Sequence, residues 1–482
     1  MSLTSALNIA QTALFNSSRQ TSVVSRNISE ASNPDYTRRS AVLSSTAPGA
    51  QIVEIRRATD HALFRQNLTA ISDWRAQATI SQGLNSLRTQ VNGVDNASAP
   101  GSLLSEFQEE LQTYAGTPSN RSLGENAVEA ARNLVRSLNN GNKAVQSMRA
   151  DIDREIATSV EELNRHLADF EKANNEIVTG TRVGRDVSDA LDRRDALLKK
   201  ISEYVPVNNT VRSGNDMMLT TAGGITLFET VPRAVTFTPE NTYQAGMTGN
   251  ALHIDGVPIT PGSGGNTNAS GSLAANLQLR DETTVRMQSH LDEIARGLIS
   301  TFAETDPSGT QPNATGLFTW SGEPGLPADG TLINGLAGEI VINDAYIDNP
   351  QLLRDGGANG ADYNHNTTGA ASYSELLNTR LESLNNPMQF AAEAGLSTDQ
   401  SLTSFSAETI SWLEGLRQDA SSGAQAKEAL SAHSAMALGN ETGVNVDEEM
   451  ALLLELERSY EASARLMRAV DEMLGTLMEA TR

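Results

Sequence analysis

From Leu3 onward, apolar or small residues return at Leu7, Ala10, Leu14, Ser17, Thr21, Val24 and Ile28, in steps of four and three that draw one seam along a helix. Asn33 and Pro34 end the run, because Pro34 has no amide hydrogen to donate and biases Asn33 away from helical geometry. The far end of the chain carries a matching seam at Val446, Met450, Leu453, Leu456, Tyr460, Ala464, Met467, Val470, Leu474 and Leu477. At ~1.5 Å per residue such a C-terminal helix runs ~50 Å, and its apolar stripe needs a cover. The other terminus or a neighbouring copy of the chain would supply one, and the small members Ala10, Ser17 and Thr21 demand that the partner helix come close.

Helical periodicity recurs between Ile71 and Val91, and more strongly through Leu134, Leu138, Val145, Met148, Ile152, Ile156, Val160, Leu163, Leu167 and Phe170. Asn139, Asn140 and Gly141 interrupt the second run, as either a kink or a short turn. After Pro206 the texture changes to short β-prone pieces, Met217 to Thr221, Ile225 to Phe228 and Ala234 to Phe237, with Gly223 and Gly224 as a hairpin turn. A helix is expected from about Leu273 to Phe302, then a Gly-, Pro- and Asn-rich stretch to about Gly338, and a strand from Glu339 to Ile342. Helical patterning returns near Tyr373 and is expected to continue to the end.

The expected fold is therefore mainly α with a smaller β-rich part: terminal helices in a coiled-coil-like pair, a bundle of long helices, and a central β-rich excursion nested between the two ends. The expected division is residues 1–45 with 440–482 as a terminal coiled-coil assembly domain, 46–204 with 271–305 and 339–439 as a helical middle domain, and 205–270 with 306–338 as a small outer region of strands and loops. The assembly residues are the seam positions Leu3, Leu7, Leu14, Val24, Ile28, Val446, Met450, Leu453, Leu456, Tyr460, Met467, Leu474 and Leu477.

Composition narrows the chemistry. Only 4% of the residues are aromatic against 38% hydrophobic, so the buried contacts should be aliphatic, as in helices packed side by side. With no cysteine there is no disulfide, thiol nucleophile or thiolate metal site. A net charge of −23, from 59 acidic against 36 basic residues, repels a phosphate backbone, so no nucleic acid is expected as a partner. Nothing reaches the ~20 apolar residues of a membrane helix, and no apolar stretch near the start resembles a Sec signal, so neither membrane insertion nor a cleaved signal is expected.

Nor does an active site stand out. The histidines His61, His166, His253, His290, His365 and His433 lie far apart with no metal-ligand spacing, and nucleophile elbow, Walker loop and dinucleotide fingerprint are all absent. Pro261 to Gly265 reads as a turn, and Asp355 to Asp362 reads as a loop lacking the ligand alternation of a calcium site. Asp447, Glu448 and Glu449 open the last helix, where negative charge complements the helix dipole.

Three separated groups of residues carry a resemblance. The N-terminal helix closes with Arg26, Asn27, Ile28 and Ser29, followed by Asn33, Pro34, Asp35, Tyr36, Thr37 and Arg38, a pattern similar to axial flagellar proteins in general. Leu191, Asp192, Arg194, Asp195 and Leu197, before the β-prone segment from Val205, resemble a stretch of flagellar hook–filament junction proteins, the hook-associated protein 1 family. Thr442, Gly443, Val444, Asn445, Asp447, Glu448 and Glu449, with Tyr460 beyond, resemble the start of that family's last helix, where members usually have serine in place of Thr442. Longer relatives carry a large insertion between Asp306 and Gly338, where this chain has a short polar loop.

The resemblance implies a structural adapter and not an enzyme, without cofactor, catalytic residue or metal. Its motif residues here are Asn27, Asn33, Tyr36, Leu191, Asp192, Arg194, Asp195, Gly443, Asn445, Asp447 and Glu448. It further implies export by the flagellar type III apparatus without a cleaved signal, and an extracellular place in the flagellum. The partners it implies are other copies of the chain, the hook subunit, a second hook–filament junction protein, and an export chaperone on the C-terminal helix. A hook or distal rod subunit is the rival within the superfamily, against which Leu191 to Leu197 argues. A peptidoglycan hydrolase in the central region is the rival of another class, and it requires a compact acid–base or metal cluster there.

Overall fold

The computed structural model describes residues 3–46, 49–322 and 324–480. Helix α1 (Leu3–Ser29) leads into an antiparallel hairpin, β1 (Arg39–Thr46) and β2 (Gly49–Arg57), in register from Arg39 opposite Arg57 to Thr46 opposite Gly49 with one bulge after Val42. The helical body follows with α2 (His61–Gln90), α3 (Pro100–Gly116), α4 (Arg121–Arg182) and α5 (Ser188–Tyr204). Next come the sheet β3 (Val207–Val211), β4 (Met217–Thr221) and β5 (Thr226–Phe228), and the sheet β6 (Val235–Thr236), β7 (His253–Ile254) and β8 (Val257–Pro258), both antiparallel meanders. Helices α6 (Ser272–Gln278) and α7 (Thr284–Thr301) join through a π-helical turn, Leu279–Thr283. Short elements then alternate: β9 (Phe318–Thr319), α8 (Leu336–Glu339), β10 (Val341–Ile342), α9 (Asp344–Asp348), α10 (Leu352–Asp355), α11 (Glu375–Asn385), β11 (Met388–Gln389) and β12 (Asp399–Gln400). Two long helices close the chain, α12 (Leu402–Thr442) and α13 (Val446–Ala480).

The architecture is mainly α, as the periodicity implies, with α4 as its spine. At 62 residues it is about 90 Å long. Asn120 caps its start by accepting the Ser122 N–H at 3.0 Å. The Asn139–Asn140–Gly141 interruption is neither kink nor turn. A Cβ on Gly141 would lie 3.1 Å from Leu291 Cδ1, so glycine lets α7 approach, while the Asn139 amide donates to the carbonyl of Ala337 at 2.8 Å. Around the spine lies one aliphatic core with a small aromatic knot of Phe107, Phe302 and Phe318, whose ring centroids lie 5.2–5.9 Å apart.

Several local expectations change. The segment from Leu273 to Phe302 is helical, but the π turn breaks it where buried Arg280 reaches Asp153 at 2.7 Å. The strand expected from Glu339 to Ile342 shrinks to Val341–Ile342, because Leu336–Glu339 close a helical turn against Asp292, which accepts the Ala337 N–H at 2.8 Å. Helical structure does not run unbroken from Tyr373: the pair β11 and β12 intervenes, and Phe390 within it stacks on Phe405 with centroids 4.0 Å apart. Helix α3 and the hairpin of β1 and β2 are additions to the pattern-based outline.

Candidate assembly surface and its polar joint

The two terminal helices pack against each other, and the hairpin lies on α1. In α1 the seam residue Val24 is buried with Ala10 and Ser17, while Leu3, Leu7, Leu14 and Ile28 are half-buried. In α13 the pair buries Leu456 and Val470 and half-buries Leu453, Ala464, Met467 and Leu474. Four expected seam positions fall elsewhere: Val446, Met450, Tyr460 and Leu477 are exposed. The buried line is Glu449, Leu453, Leu456, Met467, Val470 and Leu474, so the register passes through Glu449 and not Met450. One partner covers one side only. Leu452, Leu454, Leu466 and Met473 stay exposed on α13, Phe15 on α1, and Leu43 and Val53 on the hairpin. Large apolar side chains left uncovered beside a buried seam are surface that a further partner could bury.

Where this pair meets the body, three sets of motif residues converge. Asn27 is wholly buried and uses every hydrogen-bonding position of its amide: it donates to the Arg39 carbonyl and to Glu449 Oε2, both at 2.9 Å, and accepts from Tyr36 Oη at 2.8 Å and from the Arg39 N–H at 3.1 Å. Glu449, 1% exposed, takes its second partner from Arg38 Nε at 2.7 Å. Through these bonds one asparagine ties α1, the start of β1 and the first turn of α13 into a unit. Asn445 caps α13 by accepting the Asp447 N–H at 3.1 Å, while Asp447 and Glu448 are exposed at the helix start. Gly443 is required for a different reason. A Cβ there would lie 2.4 Å from the Gly439 carbonyl oxygen. Asn33 stands apart, closing its own turn by accepting the Asp35 N–H at 3.1 Å.

On the body side, α5 presents Asp192 and Asp195 to this unit and turns Arg194 inward. Arg194 donates to Asn174 Oδ1 at 3.0 Å and to the Asn215 carbonyl at 2.6 Å, and burial lowers its pKa to about 10. Leu191 lines a cleft of about 970 Å³ between the α1 exit, β2, α5 and the end of α12. Asp192 accepts from Thr37 Oγ1 at 2.6 Å and pairs with Arg39 and Arg57; Asp195 pairs with Arg57 at 2.6 Å. Neighbouring Asp189 pairs with Arg26 and Arg39, both at 2.6 Å. Burial works against the Asp189 carboxylate, but the two guanidiniums outweigh it and hold its pKa below the ordinary value.

The sequence patterns point to Asn27, Tyr36, Asp192 and Asp195 but not to Arg39 and Arg57, which bond to them, nor to Asp189, which shares Arg39 with Asp192; Glu449 stands out in them only as part of the acidic start of the last helix. The signal for Glu449 was its spacing: it precedes Leu453 by four residues and Leu456 by seven, a seam position occupied by a charge. Among the described residues no group of three metal-ligating side chains gathers, and no helix is long and apolar enough to cross a membrane.

Residues 81–318 match the family described as the flagellar hook-associated protein FlgK helical domain, and residues 440–480 match the C-terminal part of the flagellar basal body rod FlgEFG protein. Flagellar hook-associated protein 1 of Salmonella typhimurium is 26% identical over 47% of this chain, an alignment that spans only 41% of that relative's length. The Bacillus subtilis protein of the same name is 21% identical over 97% of this chain and 96% of its own length. The solved structure of the flagellar hook junction protein FlgK from Burkholderia pseudomallei is similar over 53% of this chain and 47% of that chain, with a TM-score of 0.41 and 17% identity.

Proposed function

We propose, from the premise that this chain belongs to the flagellar hook-associated protein 1 family, that it is a non-enzymatic adapter subunit joining hook to filament and polymerising through its terminal helices. The observation that carries this reading is the set of large apolar side chains on α13 that α1 leaves uncovered, among them Leu454 at 54% exposed and Leu466 at 48%. Such a surface costs solubility in a lone chain and gains burial in a polymer. In this reading residues 1–57 and 440–482 form the assembly unit, since β2 pairs with β1 and carries the unit past the expected bound of 45; 58–204, 271–305 and 339–439 form the helical middle domain; and 205–270 with 306–338 form the outer region. The partners are copies of the chain, the hook subunit and a second junction protein. Before export through the flagellar type III apparatus, a chaperone covers the α13 face.

Deleting the chain from its own cells tests the reading. Hooks without filaments, with flagellin released to the medium, are the expected result, restored by the parent sequence. Filaments on hooks that lack the chain would overturn it.

A further inference from the structure

The contacts between the terminal unit and α5 form an alternating chain of charges. Arg26 meets Asp189 at 2.6 Å, Asp189 meets Arg39 at 2.6 Å, Arg39 meets Asp192 at 2.8 Å, Asp192 meets Arg57 at 2.9 Å, and Arg57 meets Asp195 at 2.6 Å. Every aspartate comes from α5, at steps of three that wind around one side of that helix. Every arginine comes from the terminal unit, and each from a different place: the last turn of α1, the first residue of β1 and the last residue of β2. The ladder is open to water at the Arg26–Asp189 end, where the side chains are 48% and 58% exposed, and closed in the middle, where Arg39 is 3% and Arg57 6% exposed.

We propose that this ladder is the lock that sets the direction in which the terminal helix pair leaves the body, with Asp189, Asp192 and Asp195 as positioning residues. Beyond the ladder, α5 reaches the unit through the partly exposed Lys199–Asp35 pair at 2.9 Å and through the Thr37 hydroxyl on Asp192. Helix α1 packs on α13, β1 and β2, and α13 packs on α1; among the described residues no body helix adds a comparable apolar seam to either. Covalently, the unit joins the body through the short links from β2 to α2 and from α12 to α13. Rotation about two short links is resisted only by what bridges them, and guanidinium–carboxylate pairs are directional as well as attractive. The side of α5 that faces away from the ladder is fixed: Leu198 and Ile201 are in the core, and Arg194 is bonded to α4 through Asn174. A helix so anchored can serve as a bearing for what its other side grips. The ladder thereby converts the position of α5 into the tilt of the terminal pair, which on the assembly reading above is the angle at which each subunit presents itself to its neighbours.

The absence of cysteine makes the tilt measurable by spin labels at Ser459→Cys on α13 and Asn175→Cys on α4, both exposed and outside the ladder. In the full-length chain a single narrow distance distribution is expected between them. In D189N/D192N/D195N its width should at least double, while tryptophan emission stays unchanged, because Trp74, Trp320 and Trp412 all lie in the body. Should emission shift, so that the triple variant has disturbed the body, R57Q decides: it removes two of the five contacts and leaves Asp192 its bond to Arg39. A broadened distance in R57Q supports the ladder. An unchanged mean and width, in the triple variant with unshifted emission or in R57Q, overturns it. Failure of the assembly reading is read separately, as filaments on hooks lacking the chain, whatever these distances are.

Discussion

Asp292 and His290 lie two residues apart on α7, both buried, and they respond to acid in opposite senses. His290 donates from Nε2 to the Ala394 carbonyl at 2.9 Å and stands edge-on to Phe405 and Trp412; burial lowers its pKa from 6.5 to about 4. Asp292 accepts from the N–H groups of Gly335 and Ala337 and from Gln288 Nε2, yet burial prevails and raises its pKa from 3.8 to about 6. As pH falls from 6.5 to 4 the unfolded chain takes a proton on the histidine that the folded chain refuses, so stability drops. Over pH 6 to 3.8 the folded chain takes a proton on Asp292 that the unfolded chain does not, so this group adds stability as pH falls and loses it as pH rises through 6. The two trends oppose each other between about pH 6 and 4. Replacing Asp292 by Asn removes one of them; the amide oxygen keeps an acceptor for the Ala337 N–H, while its NH2 faces the Gly335 N–H, at a cost of roughly 1–3 kcal/mol at neutral pH. The urea midpoint of D292N should then fall more steeply than that of the parent between pH 6.5 and 4; parallel curves would show that the pair does not offset.

At the scale of elements, α13 carries a buried seam and separate exposed apolar side chains, and one substitution in each tests the proposed assembly role of the second. Leu456 is 7% exposed within the pair, so Leu456→Asp forces a carboxylate into the seam at a cost of several kcal/mol and should open α13 from α1. Leu454→Asp changes a side chain already in water and should alter the lone chain by less than about 0.5 kcal/mol. Limited proteolysis should cut L456D early in both termini and leave L454D like the parent, while neither attaches filaments. Normal attachment by L454D would remove the outer side from the interface. Both terminal helices were legible in the chain because heptad spacing is local. The side of α13 that meets α1 was not fully so, since an apolar pattern favours Met450, and the preference for Glu449 comes from Asn27 and Arg38, more than 400 positions away. The long helices of the body were legible for the same local reason. The hairpin of β1 and β2 was not, because Arg39 and Arg57 at its base gain their order from α5, about 140–150 residues downstream. Likewise Asp189, Asp192 and Asp195 show their spacing in sequence but not the three arginines that give the spacing its meaning.

For the whole molecule, charge and apolar surface pull against each other. The chain carries −23, and the imbalance continues into the proposed contact surface: exposed on α13 are Asp447, Glu448, Glu455, Glu457, Glu461, Asp471, Glu472 and Glu479 against Arg458, Arg465 and Arg468. Helix α1 has Arg19 and Arg26 and no acidic residue, so within one chain the pair is drawn together while two chains repel. Repulsion between copies acts over the Debye length, about 30 Å at 0.01 M salt and about 8 Å at 0.15 M, whereas burial of Leu454, Leu466 and Met473 acts only at contact. Added salt therefore shortens the reach of the opposing force and leaves the favourable one in place. Sedimentation velocity on the purified chain should show a monomer at 0.01 M NaCl and a growing associated fraction toward 0.3 M. Association driven by charge attraction would instead weaken as salt is added. Leu454→Asp with Leu466→Asp should abolish the salt-induced species by removing its apolar contact and adding to the repulsion. Association that declines with salt, or that survives both substitutions, would place the contact surface on some other part of the molecule.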